Sequence, residues 1–242
     1  HLGFQEIYLF EEALAGAIGA GLAINDPSAT AIIDIGGGTT DISVLSLGGT
    51  VHSQSIKLAG DAMDLAIMDY LKRERRLQIG PLSAEKLKIV AGGAPVVGGV
   101  ETRGDSKVLV AGRCLLSSLP KMIEVSSAEL QWALRPVIAE IAEEILSTLS
   151  QIPPELSGDI EDKGIYLVGG ASQLRDLPAF IQALTGLSCQ RLASPKECIV
   201  QGLQKISDEG LFSFDGLNRE GVWSYLPCSL NSAPRRCWHR SR

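Results

Sequence analysis

Strands and helices alternate along most of these 242 residues, and that alternation predicts an α/β fold. Two glycine turns add detail. The first is Asp34-Ile35-Gly36-Gly37-Gly38-Thr39-Thr40-Asp41, which follows the apolar run 29–33. The second is Gly169-Gly170-Ala171-Ser172, which follows the buried-type strand 164–168. An apolar strand that stops at an aspartate and three glycines is built to receive a phosphate. Glycine lets backbone approach an anion closely and reach φ > 0, and successive N–H groups in such a turn form an anion nest.

From the N-terminus, residues 7–10 read as a short strand and 13–24 as an Ala/Gly-rich helix, with Glu11 and Glu12 at its positive end. Small side chains in that helix suit close packing on a neighbour. Residues 25–28 break the chain, and the phosphate strand follows. Asp41 restarts an alternating strand that Gly48-Gly49 closes as a hairpin, with a third strand over 51–58. Gly60-Asp61 opens a helix to residue 73 with Met63, Ile67, Met68 and Leu71 on one face. Residues 83–90 read as a short helix. Residues 96–103, 108–111 and 122–125 read as strands. Ser126 and Glu129 form a capping-box pattern for the longest helix, to about residue 150, with Leu130, Leu134, Ile138, Ile141 and Ile145 at helical spacing. Pro136 allows a kink in it, and Pro153-Pro154 ends it. A helix to about 184 follows the second glycine turn, and 189–192 is a short strand. Pro195 suits the first turn of a last helix, to about 206. Residues 209–242 lose periodicity and read as a poorly ordered, divergent tail.

Bulk properties exclude several classes. The chain is 45% hydrophobic and 21% charged, ordinary for a globular protein. A net charge of −6 argues against a nucleic-acid partner, which needs basic clusters to replace counterions. The five cysteines have no CxxC spacing, so zinc is not expected and a reducing cytoplasm fits. No run of eighteen apolar residues suggests a membrane span. The chain opens on His1 without a signal-peptide layout, which suggests a piece of a longer protein.

No Gly-Lys-Ser/Thr follows the first glycines, so this is not a Walker A loop. A strand follows it rather than a helix, so it is not a dinucleotide fingerprint either. Strand, Asp-x-Gly-Gly-Gly-Thr, strand resembles the second phosphate loop of the actin, Hsp70 and sugar-kinase superfamily. Five further stretches resemble MreB, the bacterial actin homologue. They are Glu11 to Leu22, Gly60-Asp61-Ala62-Met63-Asp64, Ile79-Gly80 with Ala84 to Ile89, Pro153 to Ile160, and Leu167 to Arg175. The resemblance covers roughly residues 5–208.

The resemblance implies an actin-like ATPase (ribonuclease H-like) fold, mainly its second lobe with an inserted small subdomain. Residues 1–25 would belong to or bridge the first lobe. Residues 26–58 and 128–194 would form the nucleotide-binding subdomain, 59–127 the insertion and 195–208 a C-terminal helix. ATP and Mg²⁺ are the implied cofactors. Gly36, Gly37, Gly38 and Thr39 would hold phosphates, and Asp34 would hold Mg²⁺ through water. Glu12 would orient the attacking water, helped by Thr40. Gly60, Glu85 and Lys88 would border the nucleotide, which would rest on Gly169, Gly170, Ala171 and Ser172. Implied partners are other copies in a filament, the membrane surface and the wall-elongation machinery, at the inner face of the cytoplasmic membrane. The implied role is to direct cell-wall synthesis and hold a rod shape.

Departures are Ala13 for the family's proline and Asp41 for its glutamate. The first phosphate loop is not found, so weak or absent hydrolysis is expected of this chain alone. Competing readings are an Hsp70-like or sugar-kinase-like ATPase fragment and a non-functional remnant.

Overall fold

The computed structural model describes residues 10–95 and 106–209. The expected strands at 7–10 and 96–103 fall wholly or mostly outside these residues, as does nearly all of the 209–242 tail.

The main sheet has five strands in the order β3-β2-β1-β7-β8. These are β1 (Thr30–Ile35), β2 (Thr40–Ser46), β3 (Gly49–Ile56), β7 (Ile165–Val168) and β8 (Cys189–Arg191). β1 runs antiparallel to β2 and parallel to β7, and β7 runs parallel to β8. Every residue of β1 is buried, as expected of a strand covered on both faces. Ile33 and Ile35 enter one core with helices α2 (Gly60–Glu74), α4 (Ser127–Leu149) and α6 (Leu177–Thr185). Ile32 faces the other way, onto helices α1 (Glu12–Gly19) and α7 (Cys198–Glu209). The result is a three-layer sandwich. A second sheet, in the order β4-β5-β6, is antiparallel and consists of β4 (Leu77–Gln78), β5 (Lys107–Cys114) and β6 (Pro120–Ser126). Helix α3 (Pro81–Ala91) packs near it, and its buried Leu87 and Ala91 join the core of α2 and α4.

Most elements sit where periodicity puts them. The α2 face of Met63, Ile67 and Leu71 is buried. So are the five α4 positions, and the Ser126–Glu129 capping box is formed. α4 runs unbroken through Pro136. Leu47 and Gly48 both have positive φ, the signature of a type I′ hairpin between β2 and β3.

Four readings need correction. α1 ends at Gly19, not at residue 24. Gly21 takes φ +75°, Leu22 N–H donates to Ala17 O and Gly21 N–H to Ile18 O, which together form a Schellman stop. Residues 154–163 form a helix, α5 (Pro154–Lys163), because Pro154 fits its first turn as well as it ends α4. β4 is too short for periodicity to reveal. Pro195 lies in the turn before α7, which begins at Cys198.

α1 and α7 touch through backbone. A Cβ on Gly19 would lie 1.7 Å from Cys198 O, and one on Gly202 would lie 1.8 Å from Ala15 O. Lys205 closes this contact by donating to Ile18 O (3.1 Å) and Gly19 O (3.2 Å) at the negative end of α1. Gly202→Ala should therefore cost about 2–3 kcal/mol, as overpacking does. In α5, a Cβ on Gly158 meets no atom within 4 Å. Gly158→Ala should stabilise by about 0.5–1 kcal/mol. Urea midpoints of the two variants should move in opposite directions.

Candidate nucleotide site

Parallel pairing of β1 with β7 sets Asp34 opposite Val168. β7 ends there and β1 one residue later, so the two glycine turns emerge side by side at their carboxyl ends. That edge is where open α/β sheets bind ligands. A third wall comes from α2. Gly60 N–H donates to Gly36 O (3.1 Å) and Asp61 N–H donates to Gly37 O (2.8 Å). A Cβ on Gly60 would lie 3.3 Å from both Gly36 O and the Lys88 ammonium.

The first turn corrects one expectation. None of Gly36, Gly37 and Gly38 has φ in the left-handed region. The turn is closed by Gly36 N–H donating to Thr39 O (3.0 Å). Among the described residues, the N–H groups of Gly37, Gly38 and Thr39 have no acceptor. Gly37, Gly38 and Thr39 are exposed. The Thr39 hydroxyl donates to Asp41 Oδ2 (3.0 Å). Thr40 is fully buried and donates to Leu58 O (2.6 Å), which ties the turn to the end of β3. Its hydroxyl proton is thus taken, and only its lone pairs are left for a water.

In the second turn glycine is required. Gly169 has φ +86°, and a Cβ there would lie 2.2 Å from Asp34 Oδ1 and 2.4 Å from Ile35 O. The two turns therefore touch through Asp34. Ser172 is buried and its hydroxyl donates to Gly169 O (2.7 Å), so this side chain braces its own turn. Gly170 and Ala171 are half-buried, and the Lys196 side chain packs over Gly170.

Asp34 sits between the turns and is 4% exposed. Its Oδ2 is buried with no hydrogen-bond partner. Burial, then the carboxylates of Glu12 and Asp41, push its pKa up to about 6. Glu12 itself is exposed at the first turn of α1. A buried carboxylate with a free oxygen and two acidic neighbours fits a hard cation. No group of three metal-ligating side chains occurs among the described residues. Asp34 would thus hold Mg²⁺ through its water shell, as that ion prefers.

Lys88 is engaged inside the protein. It donates to Gly60 O (2.8 Å) and Asp64 Oδ2 (2.9 Å), joining α3 to the start of α2. Burial still pushes the Asp64 carboxyl up, against the pull of Lys88. Glu85 is exposed on α3, and the partner of Lys88 is Asp64. Sequence reasoning gave Asp64 no role. Its place in Gly60-Asp61-Ala62-Met63-Asp64, one helical turn after Gly60, was the available signal.

The raised Asp34 pKa fixes the sign of a pH effect. Stability from a carboxyl whose folded pKa is raised is fully present below 3.8 and lost as pH rises through about 6. Without ligand, Asp34→Asn should raise the melting temperature by a few degrees at about pH 8 and bring no gain near about pH 4. Thermal melts across this range check it.

Known proteins share this architecture. The family model described as MreB/Mbl protein matches residues 1–211. The cell shape-determining protein Mbl of Bacillus subtilis is 40% identical over 201 residues, covering 83% of this chain and 59% of Mbl. The cell shape-determining protein MreB of Escherichia coli K12 is 36% identical over 200 residues, covering 83% of this chain and 56% of that protein. The crystal structure of MreB5 of Spiroplasma citri bound to AMPPNP superposes with a TM-score of 0.81 at 32% identity, covering 86% of this chain and 61% of that one. The MamK double helical filament, at 21% identity and a TM-score of 0.62, shares the fold. The chain thus spans under two thirds of the length of these relatives. Its fold is the actin-like ATPase fold, and the chain belongs to the MreB/Mbl family.

Proposed function

We propose that this chain carries one wall of the ATP site of a filament-forming protein that directs cell-wall synthesis and holds a rod shape. One observation carries the nucleotide part of this reading. Two glycine turns lie side by side, the first with unpaired N–H groups at Gly37, Gly38 and Thr39, and between them sits a buried carboxylate whose Oδ2 has no hydrogen-bond partner. Backbone donors suit phosphate oxygens, and the carboxylate suits the cation that accompanies them. The relatives support the rest. Two are named cell shape-determining proteins, and Spiroplasma MreB5 is described with AMPPNP and with ADP.

In this reading Gly36, Gly37, Gly38 and Thr39 cradle the terminal phosphates. Gly170 and Ala171 support the nucleoside, while Gly169 and Ser172 shape that turn. Gly60, Glu85 and Lys88 line the far side, with Lys88 acting mainly as a strut through Gly60. Mg²⁺, when bound, neutralises phosphate charge. Asp34 orients its waters from a rigid strand end. Glu12 orients the attacking water, and the Thr40 oxygen accepts from it. Such positioning is most of what phosphoryl transfer asks of a protein. Residues 26–58 and 128–194 make the nucleotide-binding subdomain and 59–127 the insertion, consistent with the two separate sheets. The protein works in the cytoplasm at the inner membrane face with the wall-elongation machinery. No helix among the described residues is long and apolar enough to cross a membrane.

Gly38 gives a direct test. A Cβ there meets no atom within 4 Å. Gly38→Val should melt like the parent chain, yet lose about tenfold or more in affinity for a fluorescent ATP analogue with Mg²⁺. Parent-like binding would remove the turn from the site. In any form of the protein that turns ATP over, Glu12→Ala should cut turnover by about 10²-fold with affinity nearly unchanged. Steady-state kinetics beside equilibrium binding separate the two effects.

A further inference from the structure

The loop from β8 to α7 is bound to the second glycine turn. Leu192 N–H donates to Leu167 O (3.1 Å), and Gly169 N–H donates to Pro195 O (2.9 Å). Arg191 donates to Ser172 O (3.3 Å). Beyond the loop, Cys198 is fully buried at the start of α7, where its carbonyl meets Gly19 of α1. Lys196 is thus carried on a segment held at both ends.

The Lys196 stem lies back over the turn. Its Cε and Cγ lie 3.7 Å and 3.9 Å from the point where a Cβ on Gly170 would stand. These are ordinary contact distances, so the stem would accept an alanine at 170. Gly170 has φ −64° and ψ −42°, a conformation open to any residue. Neither packing nor backbone geometry therefore accounts for glycine here. What it leaves is a flat patch, with bare backbone on one side and a methylene stem on the other. A planar ring fits such a patch.

Charge is a second, separate observation. Lys196 is exposed, and its ammonium has no hydrogen bond or ion pair among the described residues. The other cations beside the site are engaged. Lys88 holds Gly60 O and Asp64, Arg175 pairs with Asp176, and Arg191 holds Ser172 O. The acids gather around the first turn, where Glu12 and Asp41 act on Asp34 and Asp61 stands beside Gly37. The free ammonium belongs to the second turn.

We infer that Lys196 is a nucleobase contact, with its stem and Gly170 forming the floor under a purine ring and its ammonium meeting the ring's electron-rich atoms. The assignment rests on the nucleotide reading above and adds to it a residue that lies outside both glycine turns. An ammonium is a pure donor, and ring nitrogens of a purine are acceptors. A cation is also drawn to the face of an aromatic ring. The stem supplies apolar contact while the charged head stays near water, as lysine side chains do.

The test uses the 242-residue chain with Mg²⁺, and ATP affinity is read by displacement of the fluorescent analogue. Lys196→Ala should weaken ATP by about fivefold or more. Lys196→Met keeps most of the stem without the charge and should lose less. Neither variant removes an internal bond, so melting temperatures should stay near the parent value. The loss in Lys196→Ala should persist between about 0.1 M and about 1 M salt, because a contact at the base is screened far less than attraction to phosphate charge at a distance. ATP binding by Lys196→Ala at the parent level would overturn the inference. So would tighter binding, which would make the stem a plug over Gly170, or a loss that vanishes at high salt, which would assign the lysine to the phosphates. A parent chain that binds no ATP overturns the nucleotide reading and this assignment together; a parent chain that binds ATP while Lys196→Ala matches it overturns this assignment alone.

Discussion

The contact between Asp34 and Gly169 is the constraint on which the site depends. β1 and β7 are far apart in sequence, and their parallel register sets Asp34 opposite Val168. With that register Gly169, the residue after β7, falls against the Asp34 carboxylate, at a distance only a glycine tolerates. A side chain at 169 would push the second turn away from the first and split the row of backbone donors. The left-handed φ of Gly169 adds a second reason for glycine at the same point. Three supports hold the arrangement. Thr40 is tied to Leu58, Ser172 to Gly169, and Gly60 to Gly36. Each donor belongs to a buried residue, so the turns are held by the chain's own bonds, as preorganised sites require.

The same arrangement is costly to the empty protein. Asp34 is buried with a free oxygen, beside two other acids, and its carboxyl is pushed up to about 6. A fold selected for stability alone would place an amide or an apolar residue there. Local conflicts of this kind are expected where function competes with stability. Elsewhere the molecule follows ordinary rules. β1 is buried throughout, α4 keeps its capping box and apolar stripe, and the α1–α7 crossing uses glycine where backbones meet. The contrast singles out the strand end at Asp34.

Much of this was legible in the chain itself, because the signals were local. Apolar periodicity placed β1, α2 and α4, and the capping pattern placed the start of α4. Adjacent glycines marked both turns. What escaped depended on tertiary partners or on ambiguous punctuation. Gly21 lies within an Ala/Gly-rich run, so its role as a helix stop appears only with the Ala17 and Ile18 carbonyls in view. Pro153-Pro154 reads as an end of one helix and is also the beginning of another. The two residues of β4 carry no period. The bond from Lys88 to Asp64 joins two helices whose approach no spacing reveals. Ser172 looked like a ligand contact on pattern, and burial shows it holding its own turn.

The glycines separate what the fold demands from what it does not. At Gly19, Gly169 and Gly202 an added carbon would strike backbone or a fixed carboxylate at 2.2 Å or less, so the chain's own atoms account for those residues. At Gly38 an added carbon meets empty space, and at Gly37 it meets only Asp61 Oδ1 at 3.8 Å. Neither has the left-handed backbone that would favour glycine. Intramolecular packing therefore leaves both residues unexplained, and flexible glycine costs conformational entropy on folding. In the proposed nucleotide site, the unpaired N–H groups at the same positions supply the missing reason. A bare backbone exposes donors to an anion at close range, and any side chain there would stand in the anion's place. The glycines that the structure could replace are thus the ones that point most directly to a ligand.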